Sequence, residues 1–254
     1  MRRDVLVLCY HAVSDRWPAT LAVSADRLER QVASLLERGY RATTFTEAIT
    51  RPPGRRTLAV TFDDAYRSVV REAHPVLTEL GIRATVFVPT AFAGTEQPMS
   101  WPGIDHWLEG PHAHELTPAS WSELGELSES GWEIGSHTHD HPSLPALADG
   151  PLRDQLIGSR AECEARLGID CRSIAYPYGD CDRRVAAAAE AAGYEAGAAL
   201  SGRVERGNRF LWPRVGVYHG DREWRFALKA SPLVRRTRIG ALSEIRAKLS
   251  RAGR

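Results

Sequence analysis

Asp63 and Asp64 stand side by side at the end of the apolar run Leu58-Ala59-Val60-Thr61-Phe62. Two carboxylates at a buried strand end repel each other, and one has its pKa raised unless a cation compensates. Adjacent side chains point in different directions, so one can hold a metal ion while its neighbour handles a proton. A plainer role for Asp64 is to cap a helix beginning near Ala65-Tyr66. Downstream, another apolar run ends in His137-Thr138-His139-Asp140-His141. His137 and His141, at spacing i, i+4, converge on one ion if the turn between them is tight or helical, and Pro142 stops a helix from continuing. Two histidines and one aspartate make an open three-ligand site with room for water, which suits catalytic zinc or a similar divalent ion. The remaining aspartate is then the natural general base for that water. The competing reading of the histidine cluster is a solvated loop.

Side chains of this kind need elements that bring them to one place. Short, continuously apolar runs at residues 5–10, 58–62, 84–88, 132–136, 173–176 and 194–200 read as parallel strands buried on both faces. Between them lie helical stretches at 25–38, 68–80, 120–130, 152–167 and 183–192, with Gly39, Gly81, Gly131, Gly168 and Gly193 as stops. The alternation predicts an α/β fold on a parallel sheet or barrel. In such folds active groups gather at the carboxyl ends of strands. Four predicted strands end that way: in His11, in Asp63-Asp64, in the histidine cluster and in Pro177-Tyr178-Gly179-Asp180. Residues 89–118 break the rhythm and read as a long insertion after a strand.

Thr61-Phe62-Asp63-Asp64, Gly135-Ser136-His137-Thr138-His139-Asp140-His141-Pro142 and Ile174-Ala175-Tyr176-Pro177-Tyr178-Gly179 together resemble the first three motifs of the polysaccharide deacetylase family, carbohydrate esterase family 4. They occur in the family's order, and the resemblance spans residues 5–228. It implies a distorted (β/α) barrel of the NodB-homology type, with fewer than eight regular strands. It also implies roles: Asp63 as general base, Asp64, His137 and His141 as ligands of a divalent metal, and the Tyr178 backbone N–H as oxyanion donor. Zn2+ is the expected ion, with Co2+, Ni2+ or Mn2+ as alternatives. Two family features are missing in their usual form. The third motif normally carries an Arg that braces the base, and a final Leu-x-His normally supplies the general acid. A branch with an F-A-Y-P-Y-G third motif takes its acid from an early Tyr-His, which Tyr10-His11 matches. His11 is therefore the expected acid, ranked above His219; its plainer reading is a hydrogen-bonded strand-end residue. Arg214, in Trp212-Pro213-Arg214, is the candidate brace, and His139 matches no ligand. Trp101, Tyr178 and Trp212 are candidates to stack on a sugar ring, against the commoner use of Trp in packing.

The implied reaction is hydrolysis of the acetyl group of an N-acetylated sugar, with Asp63 deprotonating water and an acid protonating the amine that leaves. Two alternatives stand beside it. O-deacetylation releases an alkoxide and tolerates a weaker acid. A non-catalytic carbohydrate-binding relative would have no use for a base beside a metal.

The formal net charge of +1 averages two objects: residues 228–254 carry +7 and residues 1–227 carry −6. The expected organisation is a barrel over 1–227, with the insertion at 89–118, and a basic C-terminal tail over 228–254. Ile239, Leu242, Ile245 and Leu249 fall at near-helical spacing in that tail. The tail reads as a helix packed on the barrel or, alternatively, as a basic amphipathic helix in peripheral contact with a membrane. It carries no nucleic-acid-reading motif, so nucleic acid is not an expected partner. No stretch approaches the ~20 apolar residues of a spanning helix, and the apolar start is too short for a signal peptide. Cys9, Cys163, Cys171 and Cys181 form no stapling pattern, so a cytoplasmic protein is expected, membrane-associated only through its tail.

Overall fold

The computed structural model describes residues 3–200 and 208–235. In chain order the elements are β1 (Asp4–Tyr10), β2 (Ala12–Val13), β3 (Ala22–Val23), α1 (Ala25–Glu37), β4 (Arg41–Ala42), α2 (Phe45–Thr50), β5 (Arg56–Phe62), α3 (His74–Glu79) and β6 (Thr85–Val88). They continue as α4 (Trp121–Glu129), β7 (Glu133–Ser136), α5 (Asp149–Leu167), β8 (Ser173–Ala175), α6 (Arg183–Ala191), β9 (Ala196–Ala199), β10 (Trp212–Pro213), β11 (Val215–Gly216) and α7 (Glu223–Ala230). The sequence-predicted strands and helices all form, with shifts at their ends. The predicted helix over 68–80 opens with a π-helical turn, Val69–Ala73, before α3, where Pro75 supplies no N–H to a regular ladder.

The main sheet is parallel and runs β10-β9-β8-β7-β6-β5-β1-β11, with β4 alongside β5. Its two edge strands, β10 and β11, are separated in sequence by Arg214 alone. The sheet therefore curls until its edges belong to one continuous segment, giving a nearly closed barrel. Six of its eight strands in line have three or more residues, while β10 and β11 have two each. This agrees with the expected distorted barrel.

Side chains alternate across each strand. Leu6, Leu8, Tyr10, Leu58, Val60 and Phe62 join the outer core under the helices. Val7, Ala59, Phe87, Ala175, Ala196 and Ala198 form the inner cluster. The inner set is mostly small because the barrel is narrow: a Cβ added at Gly135 would stand 2.6 Å from the Phe87 ring. α2 contributes Phe45 and Ala48 to the same cluster and plugs the end where the strands begin. Its first N–H groups lack helical partners. Phe45 N–H donates to Thr85 Oγ1 at 2.8 Å, and Thr46 N–H to Glu133 Oε2 at 2.8 Å. The hydroxyls of Thr46 and Ser173 also donate to the Glu133 carboxylate.

The insertion at 89–118 is not loose. It holds two short 3-10 turns, Asp105–Trp107 and Ala113–Leu116, and buries Met99, Ile104 and Leu116 in the outer core. Position 228, where the tail was expected to start, falls inside α7, and the stripe Ile239, Leu242, Ile245, Leu249 lies outside the described residues.

Glu133→Ala removes an acceptor shared by one backbone N–H and the hydroxyls of Thr46, Thr85 and Ser173. A loss of about 3 kcal/mol is expected, read as a lower urea midpoint at unchanged slope. A loss below about 0.5 kcal/mol would show that this carboxylate does not hold the plug.

Candidate active site

The carboxyl ends of the strands bring the predicted residues to one rim. Asp63 N–H donates to Tyr10 O at 3.0 Å, which carries the β1–β5 ladder one step past the end of β5. The chain then turns through positive φ at Asp64 (68°) and Ala65 (52°), so the two adjacent carboxylates diverge. Asp63 turns to Arg214, whose Nη1 and Nη2 donate to Oδ1 at 2.6 Å and Oδ2 at 2.7 Å. Asp64 turns to the histidines: its Oδ1 lies 3.3 Å from His137 Nε2 and 3.4 Å from His141 Nε2. Among the described residues, the non-glycine residues with positive φ are Asp64, Ala65, Thr138, His141 and Tyr178, every one on this rim. Such conformations persist only where the surroundings hold them in place.

His137 follows β7 directly, and its N–H donates to Val88 O at 2.8 Å. Its Nδ1 sits 2.8 Å from Ala175 O, which fixes the proton there and leaves Nε2 as a lone-pair donor. The turn to His141 is tight rather than helical: Thr138 N–H donates to Ser136 Oγ at 3.0 Å, and His141 N–H to Thr138 Oγ1 at 3.2 Å. The His141 ring stacks on Trp101 at 4.1 Å and meets the Tyr178 ring edge-on at 4.8 Å. His139 points the other way, to Thr90 Oγ1 at 3.0 Å and Glu162 at 3.6 Å.

The donor set fits a divalent cation on three observations. The ligand atoms of Asp64, His137 and His141 all lie within 4.8 Å of one another and are buried. Asp64 Oδ1 has no hydrogen-bond partner. The 3.3 and 3.4 Å spacings match the ~3.4 Å expected between ligands of one tetrahedral ion with bonds of ~2.1 Å.

His11, just beyond β1, is buried with its Nδ1 unpartnered, and it groups with Cys9 and Asp63 within 4.8 Å. Burial lowers its pKa against the pull of Asp64 and Asp63, which favours the neutral ring. Burial would raise Asp63, but the Arg214 guanidinium beside it prevails and holds it at about 2. Burial would likewise raise Asp64, and His137 and His141 hold it below the usual carboxylate range.

Tyr178 (φ 60°) lies in the turn Pro177–Gly179, its ring half-exposed. The next residue must be glycine: φ is +66°, and an added Cβ would meet Leu200 Cβ at 2.2 Å. Trp101 is buried and gives its face to His141, and Trp212 packs against the inner cluster, so Tyr178 is the aromatic candidate that remains open to a ligand. His219 is exposed and joins neither buried cluster; its backbone bridges Thr20 and Arg27. His106 and His112 pack around Trp107, His114 lies 3.8 Å from Glu115, and none belongs to a three-ligand group among the described residues.

Two neighbours of Asp63 escaped the sequence reading. Cys9 Sγ lies 3.4 Å from Asp63 Oδ2, and Thr61 Oγ1 lies 3.2 Å from Arg214 Nη1. The available signal was strand alternation: Cys9 precedes His11 by two positions and Thr61 precedes Asp63 by two, so each pair shares a face.

Barrels with a histidine-and-aspartate rim of this kind are of the NodB-homology type, and solved structures of that type match the chain. A Streptococcus pyogenes deacetylase, PplD, in complex with acetate has a TM-score of 0.75 at 19% identity, covering 91% of this chain and 100% of that one. IcaB from Ammonifex degensii has a TM-score of 0.71 at 26% identity, covering 90% and 97%. The polysaccharide deacetylase family model matches residues 50–197, and the chain belongs to that family. It is 27% identical over 196 residues to YxkH of Bacillus subtilis, covering 75% of this chain and 62% of YxkH. It is also 27% identical over 134 residues to the poly-beta-1,6-N-acetyl-D-glucosamine N-deacetylase of Staphylococcus aureus, covering 49% and 41%. The chain thus spans less than two thirds of the length of either.

The depressed Asp63 pKa fixes the sign of an acid effect. Its contribution to stability is complete above its ordinary value of 3.8 and is lost as pH falls through about 2. On the order of 2 kcal/mol is expected to disappear across that window. Unfolding followed against pH should show this component in the wild type and not in Asp63→Asn. Parallel profiles would disprove the pairing.

Proposed function

We propose that the chain is a divalent-metal-dependent hydrolase that removes acetyl groups from N-acetylated sugars of a polysaccharide or glycoconjugate. The observation that carries this reading is the arginine-held carboxylate of Asp63 beside the Asp64–His137–His141 donor set, on one rim of a barrel of this family. The named activity of the Staphylococcus aureus relative and the acetate bound to the Streptococcus pyogenes deacetylase support it.

Asp64, His137 and His141 would hold the ion, and two imidazoles with one carboxylate suit zinc. When bound there, the ion supplies Lewis acidity toward water and the acetyl carbonyl. Asp63 takes the proton of the attacking water. Arg214 keeps that carboxylate ionised and aimed through two hydrogen bonds, and the Cys9 thiol donates a third to Oδ2. The Tyr178 N–H donates to the oxygen that becomes negative as the carbonyl carbon turns tetrahedral. His11 stands near Asp63, so the proton taken from water can return through the imidazole to the leaving nitrogen. An amine cannot leave as an anion, which makes that return obligatory. On this reading the acid comes from the early Tyr10-His11, as in the family branch that the third motif resembles.

One feature favours O-acetyl ester hydrolysis as a second reading: burial lowers the His11 pKa, which leaves less imidazolium in the resting site to protonate a leaving group, and an alkoxide needs less of that help than an amine. The two readings part in a paired assay of acetate release from an N-acetylated sugar and its O-acetyl counterpart. Asp63→Asn should lower turnover of the amide about 1,000-fold, and His11→Ala should damage amide turnover far more than ester turnover. Wild-type turnover confined to the ester would replace the N-deacetylase reading with the esterase. Undiminished amide turnover in Asp63→Asn would end this mechanism altogether. In parallel, chelator-treated protein should take up ~1 zinc ion per chain by calorimetry, and His141→Ala should weaken uptake at least about 100-fold.

A further inference from the structure

A carboxylate that holds a metal ion is usually hydrogen-bonded in turn, and that outer partner keeps the ligand at its angle. Asp64 needs such a donor. Its Oδ1 has no hydrogen-bond partner. The imidazole nitrogens beside it, His137 Nε2 at 3.3 Å and His141 Nε2 at 3.4 Å, cannot donate while their lone pairs serve an ion. Arg214 is engaged by both oxygens of Asp63.

Tyr66 stands two residues beyond Asp64. Its side chain is fully buried, and its hydroxyl also has no hydrogen-bond partner. The left-handed pair Asp64 and Ala65 turns the chain here, and the Tyr66 hydroxyl faces the Asp64 carboxylate. A donor and an acceptor, both buried and both unpartnered, therefore look toward each other. Leaving a buried hydroxyl unsatisfied is costly, so its surroundings must hold it in place. The end of the insertion fixes its backbone: Ala119 N–H donates to Ala65 O at 2.8 Å, Arg67 N–H donates to Thr117 O at 2.9 Å, and Tyr66 itself forms a bridge with Pro118. Its ring meets Trp17 edge-on at 5.7 Å, and Trp17 in turn meets Trp107 of the insertion at 5.8 Å.

We propose that Tyr66 is a positioning residue for the metal site, its hydroxyl donating to the Asp64 carboxylate and fixing the orientation in which that ligand meets the ion. A phenol keeps its proton at neutral pH and has one to give. The hydroxyl is shut off from solvent and so from substrate, which keeps it out of the reaction itself. The insertion at 89–118 thereby gains a role, since Pro118 and Trp107 help to fix the residue that aims a ligand. The inference rests on the reading of Asp64, His137 and His141 as metal ligands.

The test is the zinc affinity of the chelator-treated full chain, measured by competition with a chromophoric chelator, together with the visible spectrum of the cobalt-loaded protein. Tyr66→Phe removes the oxygen and keeps the ring. It should bind zinc at least about 10-fold more weakly and shift the cobalt d–d bands. Tyr194→Phe is the structural control, because the hydroxyl it removes donates to Leu156 O at 2.8 Å in the outer core. That variant should unfold at a lower temperature and keep the wild-type zinc affinity and cobalt bands. Thermal melts of the metal-free proteins check folding, and Tyr66→Met, which also lacks the hydroxyl, serves should Tyr66→Phe not fold. Wild-type affinity in the folded Tyr66 variant overturns the proposal, as does a loss of affinity matched by Tyr194→Phe. A wild-type chain that takes up no zinc overturns this role and the metal-dependent reading together, whereas zinc uptake insensitive to Tyr66→Phe overturns this role alone.

Discussion

Arg214 and Asp63 meet inside the barrel across 151 residues of sequence, both fully withdrawn from water. Arg214 lies at the seam, between the two strands that form the opposite edges of the sheet. Its backbone N–H donates to Ala199 O on one side of the seam, and on the other side Val215 and Gly216 register with Leu8 and Cys9. The guanidinium therefore reaches Asp63 only when both edges are in place. An isolated charge at either position would be costly, and removing one partner of such a pair typically costs about 3–5 kcal/mol. Closing the barrel and holding the carboxylate are thus one event.

The same pair explains how two neighbouring aspartates can do different work. Left alone in this interior, Asp63 and Asp64 would compete for one charge. Arg214 neutralises the first, and the left-handed turn at Asp64 and Ala65 aims the second at two imidazoles. Neither solution serves without the other. An uncompensated Asp63 would repel Asp64, and an undiverted Asp64 would sit against the guanidinium. The strained backbone belongs where it is found, since each positive φ re-aims the chain just beyond a strand end.

Much of this was legible in the sequence, for definite reasons. Parallel strands covered on both faces read as continuous apolar runs, and their last residues mark the rim; hence His11, Asp63, Asp64, His137 and Tyr178 group together from the sequence alone. The tight turn that brings His137 and His141 together was legible only as an alternative, because Thr138 and His141 adopt conformations their residue types do not advertise. β10 and β11, two residues each, have no periodicity to detect, so Arg214 could be nominated but not placed. The plug helix α2 was missed because six residues spell no amphipathic repeat, and its hold on the barrel comes from Glu133, a non-local acceptor. Trp101, a candidate for either sugar stacking or packing, stacks on His141, a contact between an insertion and a turn that no spacing encodes.

Charge shows the limit of composition most clearly. Divided along the chain, the sequence looks like an acidic barrel with a basic tail; divided in space, the barrel is itself polar. Its arginine-rich foot is drawn from positions 3, 38, 41, 51, 55 and 56, which folding brings together at the start of adjacent strands. The separation is physically consistent with a cation site at the rim. Cations crowded at the mouth would repel the divalent ion proposed to sit at Asp64 and the histidines, whereas a barrel's length from that rim their field is largely screened at physiological ionic strength. Arg214, the cation that reaches the catalytic carboxylates, is itself paired with Asp63 through two hydrogen bonds. A parallel barrel makes that division available because every strand contributes its first residue to one end and its last to the other.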